Sequence, residues 1–204
     1  MLGWKVGRAV FLDRDGVINE LVYFPELGII DSPLNPDQFR LVAGVAKAIR
    51  RFNELGLKVI VVSNQPAVAK GKMTMRLFEE MRAKMIGMLK DEGARIDGEY
   101  YCFHHPEAKL PEYRVSCECR KPKPGLLLMA ARDFKLNLKE CYMVGDGLTD
   151  VAAGRSVGCK TILIGSLKCD LCRLMDVMGV KPDYIVPSLN HASEIIEREV
   201  GGIG

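Results

Sequence analysis

The feature that most constrains this 204-residue chain is a sustained alternation of short, β-branched apolar runs with longer amphipathic ones. Residues 9–13, 58–64, 100–102, 141–146, 160–165 and 184–187 read as strands, and 43–55, 74–92, 126–134, 149–157 and 192–200 read as helices. Gly56, Gly93 and Gly158 follow three of those helices, where a glycine stop is expected. Strands that are apolar throughout and separated by helices call for a parallel sheet covered on both faces. The expectation is a doubly wound α/β fold, with residues 1–204 forming one domain and no insertion large enough for a cap domain. A hydrophobic content of 48% supplies the core such a fold needs.

Charge narrows the function classes. Twenty-nine basic residues against 26 acidic ones leave a formal charge of +3, and the basic residues are dispersed. Nothing in that pattern demands nucleic acid or an anionic membrane. No apolar run is long enough to cross a bilayer, and the opening residues do not read as a signal peptide. Seven cysteines, odd in number and unevenly clustered, favour metal ligands and free thiols over a disulfide framework. The chain reads as a cytoplasmic protein acting on a small phosphorylated metabolite; the oligomeric state stays open, with a monomer favoured.

Ligands of open α/β sheets bind at the carboxyl ends of the strands. The first strand delivers Asp13-Arg14-Asp15-Gly16 there, the second Ser63-Asn64, and the fourth Gly145-Asp146 with Asp150 one turn on. Carboxylates brought that close repel one another unless a cation sits among them, and hard oxygen donors favour Mg²⁺. Asp13 and Asp15 suit two jobs in phosphoryl transfer: one carboxylate attacks phosphorus, and the other protonates the leaving oxygen and later activates water. Ser63 offers a donor to the transferring group and Lys121 a counter-charge. The bland alternative makes Asp13 and Asp15 turn residues, and Asp146 and Asp150 helix caps.

A second constellation is Cys102-Phe103-His104, followed after twelve residues by Cys117-Glu118-Cys119. Three thiolates and an imidazole suit tetrahedral zinc with no open position, so the metal would be structural. It would fix an irregular stretch, 102–124, and position Arg120 and Lys121 directly after Cys119. His105 competes with His104 as the fourth ligand, and ordinary buried thiols are the alternative.

In order along the chain, Asp13-Arg-Asp-Gly-Val, Val-Val-Ser63-Asn-Gln, Arg120-Lys121-Pro and Val-Gly-Asp146-Gly-Leu-Thr-Asp150 resemble the motifs of the haloacid dehalogenase superfamily. More narrowly, the chain is similar to the branch containing the heptose-bisphosphate and histidinol phosphatases, from about residue 10 to 188. The resemblance implies a Rossmann-like sheet, Asp13 as nucleophile and Asp15 as general acid/base. It implies Mg²⁺ held by the Asp13 and Asp146 carboxylates and the Asp15 carbonyl, with Asp150 in support. Ser63, Asn64 and Lys121 would bind the phosphate, and Arg120 would contact the substrate. That branch carries the same Cys-x-His and Cys-x-Cys pattern, which selects His104 beside Cys102, Cys117 and Cys119 for zinc.

The chain departs from that branch at Pro66-Ala67, where Ser-Gly is usual, and at Gly147, where a lysine is common. Residues 24–39 read as a loop longer than expected, containing Pro25, Gly28, Pro33 and Pro36. These changes bear on the substrate rather than the chemistry. Heptose 1,7-bisphosphate is the first expectation; histidinol phosphate, a nucleic-acid end, and an inactive zinc-stapled binding module are the alternatives. Cys169 and Cys172 read as incidental helical thiols, the methionines at 73, 75, 81, 85 and 88 as core, and His191 as a surface residue.

Overall fold

A computed structural model describes residues 7–165, 175 and 178–201. Six parallel strands form the main sheet: β1 (Ala9–Leu12), β4 (Lys58–Asn64), β5 (Gly98–Cys102), β6 (Tyr142–Gly145), β7 (Lys160–Ile164) and β8 (Tyr184–Val186). Their spatial order is β5-β4-β1-β6-β7-β8. The chain therefore builds outward from β1 to one edge and then crosses to β6 to build the other half. That reversal beside β1 is the topological switch point, where such sheets open a crevice.

Alternation along the strands fills both faces. Val10 and Leu12 of β1, with Val59 and Val61 of β4, pack on the side of α1 (Val45–Glu54), α3 (Met75–Asp91) and α6 (Leu189–Gly201). Ala9 and Phe11, with Ile60 and Val62, pack on the opposite side against α4 (Gly125–Phe134) and Ala153 of α5 (Leu148–Ser156). Thr74 caps α3 by accepting from the Leu77 N–H at 3.2 Å. Gly56, Gly93 and Gly158 take left-handed φ values of 72°, 75° and 82° after their helices, the conformation a helix stop asks of glycine. Met73, Met81 and Met85 are buried, and Met75 and Met88 pack partly buried against the same core.

The doubly wound expectation holds, with element ends moved by a few residues. Two segments differ. Residues 24–39 are not wholly loop: β2 (Val22–Phe24) and β3 (Ile29–Asp31) pair antiparallel into a hairpin. Its outer face leaves Tyr23 and Ile30 exposed, so no buried–exposed alternation marked the strands. A short helix, α2 (Pro66–Ala69), also follows β4, with Pro66 at its first turn. The N–H that proline lacks would be unpartnered there in any case. Cys169 and Cys172 lie outside the described residues.

Phe52 of α1 is fully buried between the helix and the sheet. Phe52→Ala should lower unfolding free energy by about 3–5 kcal/mol. Urea titration checks this, the expected change being a lower midpoint with an unaltered slope.

Candidate active site

The turn after β1 carries Asp13 to the sheet's carboxyl edge and then folds back on itself. Val17, Ile18 and Asn19 donate their backbone N–H groups to the Arg14 carbonyl, and Gly16 N–H donates to the Asn19 carbonyl at 2.8 Å. Gly16 has a φ of 80°, and a side chain there would overlap the Asp146 carboxyl. A side chain at Gly145 would likewise overlap Asp150. Glycine at both positions makes room for the carboxyl groups of Asp146 and Asp150.

Asp13, Asp146 and Asp150 each offer a carboxylate oxygen within 4.8 Å of the others. Lys121 sits among them, 2% exposed. Its Nζ lies 3.0 Å from Asp13 Oδ1 and 2.5 Å from Asp150 Oδ1 as an ion pair with each, and it donates to the Val62 carbonyl at 2.8 Å. Asn64 fixes Lys121 from behind: its Nδ2 donates to the Lys121 carbonyl and its Oδ1 accepts from the Lys121 N–H, both at 3.0 Å. That side chain thus sets where the lysine backbone lies.

Burial costs the Lys121 ammonium its hydration, but Asp13 and Asp150 outweigh that and hold its pKa up at about 12. Asp146 keeps contact with solvent, yet crowding in the crevice takes part of its hydration. That loss first, then the charges of Asp13 and Asp150, push its pKa from 3.8 to about 7. Burial also raises Asp150, against the pull of Lys121. Three carboxylate oxygens kept together at this cost fit a divalent cation with oxygen ligands.

Asp13 Oδ1 also accepts from the Arg14 N–H at 2.7 Å; among the described residues no hydrogen bond reaches its Oδ2. Asp15 is held differently. Arg14 donates to Oδ1 through Nε (3.2 Å) and Nη2 (3.0 Å), Asn19 Nδ2 donates to Oδ1 at 2.9 Å, and Gln65 Nε2 to Oδ2 at 2.7 Å. The Arg14 guanidinium is itself buried and lies 5.6 Å from the centre of the Phe78 ring. In the sequence Arg14, Asn19 and Gln65 carry no chemical signature and look like spacers within the motif. Their neighbours Asp15 and Ser63 were the available signal.

The second constellation also comes together. Cys102 Sγ lies 3.7 Å from Cys117 Sγ and 3.1 Å from Cys119 Sγ, while His104 Nδ1 lies 3.4 Å from Cys119 Sγ. These thiols are free rather than bridged. A tetrahedral site with metal–sulfur bonds of about 2.3 Å places its thiolates about 3.8 Å apart, close to the longer of these spacings. His104 belongs to the group, whereas His105 lies outside it and accepts from the Glu107 N–H at 3.0 Å. Arg120 follows at once and donates to the His104 carbonyl at 3.1 Å. It lines a cleft of about 510 Å³ with Arg114, Lys121 and Lys123.

A doubly wound parallel sheet with clustered carboxylates and a buried lysine at its switch point makes a centre suited to phosphoryl groups. A model of the HAD-hydrolase-like family matches residues 118–192. The D-glycero-β-D-manno-heptose-1,7-bisphosphate 7-phosphatase of Escherichia coli O6:H1 is 40% identical over 158 residues, covering 76% of this chain and 78% of that one. The protein of the same name from Salmonella typhi is 41% identical over 159 residues, covering 76% and 79%. The solved D,D-heptose 1,7-bisphosphate phosphatase from B. bronchiseptica, complexed with magnesium and phosphate, superimposes with a TM-score of 0.76 at 26% identity, covering 95% and 99%. The chain belongs to the haloacid dehalogenase (HAD) family of phosphatases. Among the described residues no helix is long and apolar enough to cross a membrane.

A carboxyl whose folded pKa exceeds its unfolded one keeps a proton that the unfolded chain has lost. For Asp146, metal-free protein should therefore lose stability as pH rises from 3.8 towards about 7. Thermal melting in a chelating buffer at several pH values in that window checks the sign. Asp146→Asn should flatten the decline; a slope that the substitution leaves unchanged contradicts this account of the cluster.

Proposed function

We propose that this chain is a phosphomonoesterase acting on D-glycero-β-D-manno-heptose 1,7-bisphosphate through a phosphorylated Asp13. The observation that carries the chemistry is the state of the Asp13 carboxylate. One oxygen is tied to Lys121 and to the Arg14 N–H, and the other is open at the edge of the sheet. Asp13 Oδ2 attacks phosphorus, forming the aspartyl phosphate as the bond to the leaving oxygen breaks. Asp15 gives that oxygen its proton and then takes one from the water that hydrolyses the intermediate. Ser63 donates its hydroxyl to the phosphoryl oxygens. Lys121, placed by Asn64, balances the charge of Asp13 and Asp150, and Arg120 meets the substrate at the cleft. Asp13, Asp146 and the Asp15 carbonyl would hold Mg²⁺, with Asp150 behind them; when bound it supplies charge neutralisation and alignment. The substrate rests on the relatives near 40% identity that carry that name.

Cys102, His104, Cys117 and Cys119 would hold a structural zinc. Its role is to keep the segment before Arg120 and Lys121 in place, since these thiols are otherwise only partly covered or held by burial alone. The action is intracellular, on a small metabolite, by one domain. The monomer remains the expected form.

The test of substrate is phosphate release from a panel of sugar bisphosphates, histidinol phosphate and a phosphorylated DNA end, with Mg²⁺ present. Heptose 1,7-bisphosphate should be turned over best, and Asp13→Asn should reduce the rate by at least about 10⁴-fold. Preference for another compound would replace the substrate; turnover surviving Asp13→Asn would remove the mechanism. For the second site, elemental analysis should find one zinc per chain, lost in Cys117→Ser. Stripping the zinc should lower the melting temperature more than withdrawing Mg²⁺ does.

A further inference from the structure

Gln65 is almost wholly buried, directly beyond Ser63 and Asn64 at the end of β4. Its Nε2 lies 2.7 Å from Asp15 Oδ2 and 3.0 Å from Ser63 Oγ. The atom between them is the amide nitrogen, and its two protons serve the two contacts. The backbone holds the amide in place, because Gln65 N–H donates to the Cys102 carbonyl at 2.7 Å. Among the described residues Gln65 is the only hydrogen-bond partner of Ser63 Oγ. A serine hydroxyl has one proton to give and lone pairs to receive. With a lone pair occupied by the amide, the proton is left to point away from Gln65.

We infer that Gln65 is a positioning residue of the phosphoryl-transfer step, fixing the Ser63 hydroxyl as a donor to the transferring group and tying it to Asp15. The inference rests on the proposed phosphatase chemistry. Gln65 touches no substrate; its amide spans the acid/base carboxylate and the phosphate-binding hydroxyl. A donor already oriented before the reaction needs no rearrangement as charge builds on the phosphoryl oxygens. If the amide is lost, no group among the described residues fixes the direction of the Ser63 proton, and Asp15 Oδ2 loses one of its donors.

The test is a double-mutant cycle on an aryl phosphate, read as kcat/KM. Gln65→Met should lower kcat/KM by about 100-fold, the order seen when one oriented donor is lost. Its melting temperature should stay near that of the wild type. In a Ser63→Ala background the same change should cost less than about tenfold, because the group it acts through is gone. In a Ser63→Thr background, which keeps the hydroxyl, the full cost should return. Should the thioether prevent folding, Gln65→Leu, which also lacks the amide donors and adds no charge beside Asp15, gives the same comparison. Equal cost in all three backgrounds, or no cost, overturns the inference while Asp13-dependent turnover by the wild type leaves the phosphatase reading intact. A wild type without Asp13-dependent turnover overturns both.

Discussion

The site depends on one buried ammonium among carboxylates. Lys121 is the positive charge that pairs with both Asp13 and Asp150 beneath the crevice, and its Nζ also donates to the Val62 carbonyl. Each element nearby serves that placement. β4 provides the Val62 carbonyl and the Asn64 clamp, the glycine at 145 lets Asp150 come close, and the Gly16 turn brings Asp13 alongside Asp146. A charge buried this deeply is tolerated only when paired and hydrogen-bonded on every side, and removing one member of such a set costs far more than the set contributes. The resulting geometry is rigid because each partner fixes the next.

Around that centre the structure divides its work between sheet and loop. The sheet edge holds the reacting carboxylates on short, fully buried strands, where small displacements are resisted by close packing on both faces. The segment from Cys102 to Lys121 packs Phe103 and Tyr113 against the core and hangs from the Ala69 carbonyl by the Lys109 and Leu110 N–H groups. The clustered thiols and His104 lie at its two ends, and Arg120 and Lys121 follow within two residues of Cys119. Lys121 thus ties the two regions together: its side chain belongs to the sheet edge and its backbone to the loop. Arg114, Arg120 and Lys123 around the adjoining cleft give the entrance a positive character suited to an anionic substrate.

Much of this was legible in the sequence because strands and helices in a two-sided sheet carry strong, opposite periodicities. β4 was placed to the residue, and Gly56, Gly93 and Gly158 marked helix ends by the chemistry of a glycine stop. The hairpin from Val22 to Asp31 was not legible, since its strands are short and Tyr23 and Ile30 face solvent. At the site, residue types that carry chemistry announced themselves, and the structure gathers Asp13, Asp146, Asp150 and Lys121 as their order suggested. The supporting contacts did not. Arg14 and Gln65 act through the direction of their hydrogen bonds, and Asn64 turns to the Lys121 backbone. Direction is set by the fold and leaves no pattern in residue spacing.

The central claim is that Asp13 carries the phosphoryl group during turnover. Acid quench in the steady state, followed by peptide mass spectrometry, reads this directly. The account predicts one phosphoryl group on the peptide containing Asp13, labile to hydroxylamine and absent from Asp13→Asn. Phosphate released with no phosphoryl group ever found on Asp13, or found on another residue, would contradict it.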